Sequence, residues 1–298
     1  MTRFNLISFF IAIIILGVSC SIDDDSQLPE TKGVKNITEG GMKAKIDSIS
    51  WKAFNFSATI YGKQLIIYGL DSVNGSITIH LNDTIKGQPF YINYQYPNWA
   101  YYSSGNNNEI YTTFSNNLAG GSLFIDEFNR DSAYISGSFI FYLYNGKYKR
   151  TIKVREGIFN KISYTVDKNF TKGLRMYMNN KNWQPTTVNA IINNDGIIIK
   201  GQDTNGRMIS INLLSRLKGV YILNSSSQHY AKYITSFNDT TYYSSFSGLS
   251  SAGCIVVSDI TNDSIISGSF ILSLCRKFDN STINFTEGMF LGLKLQKE

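Results

Sequence analysis

Ser136-Gly137-Ser138-Phe139-Ile140 occurs a second time, unchanged, as Ser267-Gly268-Ser269-Phe270-Ile271. Outward from this block the whole chain repeats. Glu156-Gly157-Ile158-Phe159 is matched by Glu287-Gly288-Met289-Phe290, and Trp51 by Trp183. Ile77-Thr78-Ile79-His80-Leu81 becomes Ile209-Ser210-Ile211-Asn212-Leu213, and Lys86-Gly87 becomes Lys218-Gly219. The offset stays between 130 and 132, so the copies are collinear. A period this long is a domain duplication, since solenoid units are shorter. Two domains follow, at 42–160 and 174–298, joined by the polar stretch 161–173.

Each copy reads as strands. Asp71-Ser72-Val73-Asn74-Gly75-Ser76 separates Leu65–Leu70 from Ile77–Leu81, with Asn-Gly as the hairpin signal. Asp203-Thr204-Asn205-Gly206 takes the same place in the second copy. Another hairpin turns at Asn129-Arg130-Asp131 between Leu123-Phe124-Ile125 and Tyr134–Leu143. Composition agrees: with 19 Tyr and 19 Phe, the apolar residues are Ile, Phe, Tyr and Val rather than Leu and Ala. Disorder and a helical fold are both excluded. The expected fold is all-β, two tandem antiparallel domains of about nine or ten strands each, sandwiches in preference to closed barrels. Trp51 and Trp183 should each be a buried anchor, and the domains should unfold in two separable transitions.

The N-terminus gives an address. Leu6 to Val18 is an apolar run behind Arg3, too short to span a bilayer and of signal-peptide length. It ends in Leu16-Gly17-Val18-Ser19-Cys20, which resembles the lipobox of bacterial lipoproteins. That resemblance implies cleavage of residues 1–19 and lipidation of Cys20, hence a membrane partner through the lipid. Asp23-Asp24-Asp25 follows at once and resembles the export signal of surface lipoproteins in Bacteroidota. Residues 20–41 read as the lipidated cysteine and a flexible acidic tether, and the expected location is the outer membrane, facing outward. The net charge of +6 does not make a nucleic-acid partner. The lysines are scattered, and the Lys149–Arg155 cluster is a solvated strand face.

The opening Lys43-Ala44-Lys45-Ile46-Asp47 with Trp51, the Gly87–Tyr91 stretch, the Ser-Gly-Ser-Phe block and the closing Glu-Gly-Ile-Phe together are similar to one family. It is an uncharacterised domain of unknown function found in Bacteroidota surface lipoproteins. The resemblance spans both copies and implies export and an all-β fold, with no catalytic residues to carry over. Met176-Tyr177-Met178-Asn179 makes the second copy's opening the weaker match.

Chemistry is sparse. Glu156 and Glu287 recur, but a glutamate bonded to backbone amides at a strand end explains that without catalysis. The two histidines, His80 and His229, have no imidazole counterparts in the other copy. Ser-Gly-Ser-Phe is not a nucleophile elbow. No cofactor is expected. Glu127-x-Asn129-x-Asp131 and Asp259-x-Thr261-x-Asp263 space oxygens as a calcium loop does, although turn formation explains them more simply. Cys254 and Cys275 flank one hairpin, with Cys254 expected opposite Phe270, too far from Cys275 for a disulfide.

The aromatic run around Tyr94, Tyr96, Trp99 and Tyr101 is the sequence's ligand candidate, since aromatic faces beside amides suit sugars. Ordinary strand packing competes with that reading. Ser72, Ser132 and Ser264 follow aspartates in turns and resemble O-glycosylation acceptors of exported Bacteroidota proteins. The expected protein is a non-enzymatic, lipid-anchored surface protein that binds a glycan or protein. The alternatives are a surface polysaccharide hydrolase with its site between the domains, marked by paired carboxylates in a groove, and a lipocalin-like carrier, marked by an apolar cavity in each copy.

Overall fold

A computed structural model describes residues 40–82, 89–93, 95–105, 109–114, 118–179, 181–237, 241–246, 252–261 and 264–298. Residues 1–39, with Cys20 and all but the end of its expected tether, lie outside the described residues, as do Tyr94 and Asp263; Gly41, assigned to the tether, opens the first strand. The first copy begins with β1 (Gly41–Ile46), β2 (Ile49–Lys52), β3 (Asn55–Tyr61), β4 (Gln64–Asp71), β5 (Gly75–Leu81) and β6 (Pro89–Ile92). It continues with β7 (Trp99–Ser103), β8 (Ile110–Thr112), β9 (Gly120–Asn129), β10 (Tyr134–Asn145) and β11 (Arg150–Val166). The second copy repeats the series, from β12 (Gly173–Met178), β13 (Lys181–Trp183), β14 (Thr187–Ile192), β15 (Ile197–Gln202) and β16 (Met208–Leu213). Then come β17 (Gly219–Leu223), β18 (Tyr230–Ile234), β19 (Tyr243–Ser244), β20 (Ala252–Thr261), β21 (Ile265–Arg276) and β22 (Thr282–Lys297).

Both copies have one strand order. In the first it is β2-β1-β11-β3-β4-β5-β7-β8-β10-β9-β6, with β11 also paired to β10. That extra pairing closes a ring through β3, β4, β5, β7, β8, β10 and β11, so each copy is closed as a barrel is, where the sequence reading preferred an open sandwich. One junction is parallel rather than antiparallel. Tyr164 pairs with Ala58 and Val166 with Ile60, and β22 pairs with β14 in the same way. This pairing makes strand of residues 161–166, which the sequence assigned to the linker; the connection itself is 167–172.

Two aromatic-glycine contacts explain the motif that repeats most clearly. Gly137 lies opposite Phe159, and Phe139 opposite Gly157. A Cβ on either glycine would come within 2.4 Å of the facing ring, so each ring occupies the space a side chain would need. Gly268 with Phe290 and Phe270 with Gly288 repeat the arrangement. Beside them Glu156 (φ 51°) and Glu287 (φ 50°) adopt the left-handed conformation. The registers of β1 and β10 against β11 both shift around Glu156, so it marks a bulge in mid-strand, not a strand end. Its carboxylate accepts from Lys45 Nζ at 2.8 Å rather than from backbone amides.

Trp51 and Trp183 are buried as expected, at 1% and 3% exposure. Trp51 Nε1 donates to the Gly75 carbonyl (3.0 Å), and Trp183 Nε1 to Asp203 Oδ2 (2.8 Å). Leu65, Ile67, Ile79 and Phe141 are among the side chains that fill the first interior, and Ile199, Ile211, Phe270 and Phe290 among those that fill the second. Cys254 and Cys275 are free and buried. Cys254 faces Ile271, one residue from the expected Phe270: the pairs Thr261–Ile265 and Ile260–Ile266 set a register two residues from the expected one, and the bulge between Val257 and Asp259 takes one of the two back.

The copies join head to tail through non-equivalent faces. Trp99, Tyr101 and Phe114 of the first pack against Cys254, Val256 and Ile271 of the second. Tyr61 and Ile66 meet Met289 and Leu291 across Phe170 of the connection. Arg175 of β12 locks this edge: its guanidinium donates to the Tyr61 hydroxyl and to Asp167, and lies over the rings of Tyr61 and Phe170. On the second copy's corresponding face, Asn212, Tyr230 and Lys232 stand where the first has His80, Trp99 and Tyr101. A covered face is apolar and an open one is polar, which is how the duplicated sequences diverged. The shared core couples the domains, so the expectation of two separable unfolding transitions gives way to one.

Candidate functional site

The aromatic run divides between two places. Trp99 is 1% exposed, stacked on His80 with ring centroids 4.6 Å apart, and its Nε1 donates to Ser269 Oγ of the second copy (3.4 Å). It is sealed between the domains, and its proposed contact with a ligand is corrected to a contact with the other copy. Tyr96 is exposed beside Tyr91, their rings 5.7 Å apart. Tyr101 is buried at 4%, yet its edge lines a groove.

That groove, of about 580 Å³, opens between the copies below the Trp99 seam. Its size lies within the range of ligand pockets. On the first copy its wall is the outer face of β3, β4, β5 and β7, where strand alternation points Ser57, Thr59, Tyr68, Ser76, Tyr101 and Ser103 outward. The second copy contributes Tyr177, Thr286 and Glu287. Aromatic rings thus alternate with hydroxyls around one carboxylate, a lining suited to sugar rings.

Glu287 is held there by the β22 bulge, the second copy's equivalent of the one at Glu156. Burial pushes its carboxyl above the usual range, while the Arg175 charge opposes the rise. Burial, and after it the Glu287 charge, raises the phenols of Tyr68 and Tyr101. Among the described residues none forms a hydrogen bond or ion pair with the Glu287 carboxylate. Glycoside hydrolysis needs two carboxyl groups flanking the bond, and Glu287 is the one carboxylate among the described lining residues. A second opening, of about 520 Å³, has Asp167 and Asp259 in its wall, but each is paired, with Arg175 (3.4 Å) and Lys218 (2.6 Å). The bond from Lys218 holds the Asp259 carboxyl below its ordinary value, the wrong direction for a general acid.

The other sequence candidates fall into ordinary structural roles. Glu127 accepts from the Tyr134 hydroxyl (2.6 Å), and Asn129 Oδ1 from the Ser132 amide (2.9 Å), which closes the hairpin turn. Asp131 is exposed in that turn. Asp259 Oδ2 accepts from Thr261. Among the described residues no group of three His, Cys, Asp or Glu is placed to hold a metal ion. Ser72, Ser132 and Ser264 are exposed at turns, as modification would require. Nothing in the sequence marks Tyr68, Ser76 or Tyr177 as a group, because only the docking of the copies brings them together. The one trace was Tyr177, which breaks the family-like opening of the second copy.

A duplicated all-β protein with a polar, aromatic-lined groove between its copies is the class these features define. The chain belongs to the family described as domain of unknown function DUF6252, whose model matches residues 38–163 and again 171–293. No curated protein and no solved structure matches it.

Proposed function

We propose that this is an exported lipoprotein of the Bacteroidota type, anchored in the outer membrane by a lipid on Cys20, that binds a glycan in the groove between its copies. The address rests on the apolar run to Val18, the small residues before Cys20 and the acidic tether. The groove carries the binding half, because it sets Tyr68, Tyr101 and Tyr177 among serine and threonine hydroxyls. A non-enzymatic role fits its single carboxylate. The filled interiors give a lipocalin-like carrier no support.

Soluble residues 40–298 should retain a subset of glycans on an array, and Ser76→Trp, which fills the groove from β5, should lose them. Retention of the same glycans by the variant would place binding elsewhere. Cys20→Ser should release the full chain from membranes; a variant that survives a carbonate wash in the pellet contradicts the anchor.

A further inference from the structure

The two copies hold the same glutamate in two chemical settings. In the first, Lys45 of β1 places its ammonium 2.8 Å from Glu156, and both side chains face solvent. The pairing of β1 and β12 with the long strands makes Tyr177 the counterpart of Lys45: Lys45 pairs with Arg155, and Tyr177 with Thr286, one residue before each glutamate. The second copy therefore keeps the glutamate and its bulge but replaces the ammonium with a phenol ring. Glu287 faces the groove with no ion pair among the described residues. The nearby Arg175 is committed to Asp167, Tyr61 and Phe170.

We infer that the groove takes a sugar bearing a free primary amine, whose ammonium sits on Glu287 as Lys45 sits on Glu156. This rests on the glycan-binding reading and narrows it. A carboxylate removed from bulk water gains from a charge-assisted hydrogen bond to an ammonium. Tyrosine rings add attraction for the cation, and the serine and threonine hydroxyls suit the sugar's own. A neutral N-acetylated sugar offers Glu287 an amide at best and leaves the charge uncompensated.

Isothermal titration of residues 40–298 with glucosamine oligomers, and with N-acetylglucosamine oligomers of equal length, tests the inference. The wild type should prefer the amine form by at least about tenfold. Glu287→Gln should lose the preference, and Tyr177→Lys should lose it too, because it restores the first copy's internal pair. Tyr177→Phe, which keeps the ring and adds no charge, should retain it, and unchanged unfolding midpoints would exclude misfolding as the cause. Equal affinity for both oligomers would overturn the amine assignment and leave a neutral-glycan groove standing. A preference that survives in both Glu287→Gln and Tyr177→Lys would place the amine elsewhere and overturn the inference. Binding of neither oligomer, with array glycans still lost in Ser76→Trp, would overturn it while sparing the groove.

Discussion

Between pH 6.5 and pH 4 the folded chain should lose roughly 3 kcal/mol of stability through His80 alone. His80 is fully buried in the seam, and neither ring nitrogen has a hydrogen-bond partner among the described residues. Burial pushes its pKa down to about 3. The unfolded chain, with an ordinary imidazole near 6.5, therefore takes up the proton first. The stability is fully present above 6.5 and is lost as the pH falls toward 3. His80→Phe keeps a ring on Trp99 and removes the titration, so its urea midpoint should fall less between pH 7 and pH 4. Equal losses in both proteins would mean that acid acts elsewhere.

Trp99→Ala should cost on the order of 3–5 kcal/mol, the usual range for deleting a buried aromatic. The indole touches His80 and Tyr101 of its own copy and Ser269 of the other, so the cavity would open in the seam. Calorimetry should show one transition in the wild type and two in the variant, as the copies uncouple. The variant should also lose most of the His80 acid response, because water would reach the imidazole. A single transition at an unchanged midpoint would contradict the packing described for the seam.

Local signals in the sequence were sufficient for the strands and the two-copy organisation, but not for the parallel junction of β3 with β11 or the closure it completes. The Asn74-Gly75 turn joins β4 to β5, with Asp71 Oδ1 accepting from the Val73 and Asn74 amides. The repeat located both domains, and the tryptophans proved to be anchors of their cores. What the sequence did not reveal depends on docking. In β7, Trp99, Ala100, Tyr101 and Tyr102 are all buried, because Ala100 and Tyr102 face the domain's core while Trp99 and Tyr101 face the other copy. A strand covered on both faces loses the alternation that would separate packing from binding. The Cys254 register failed for a different reason: the hairpin pairs Thr261 with Ile265, two residues from the register that a turn centred on Asn262 gives, and a bulge restores one of them. Glu287 looked structural because its twin Glu156 is; only Tyr177 in place of Lys45 separates them.

The account stands on the groove between the copies, and hydroxyl-radical footprinting of the glycan complex tests it most directly. Bound glycan should reduce oxidation of Tyr68 and Tyr177, which lie on different copies and share only the groove. Oxidation of Tyr91 and Tyr96, exposed on the aromatic run, should not change. Protection of Tyr91 and Tyr96, with Tyr68 and Tyr177 oxidised as before, would return the binding site to the aromatic run and contradict a site built between the copies.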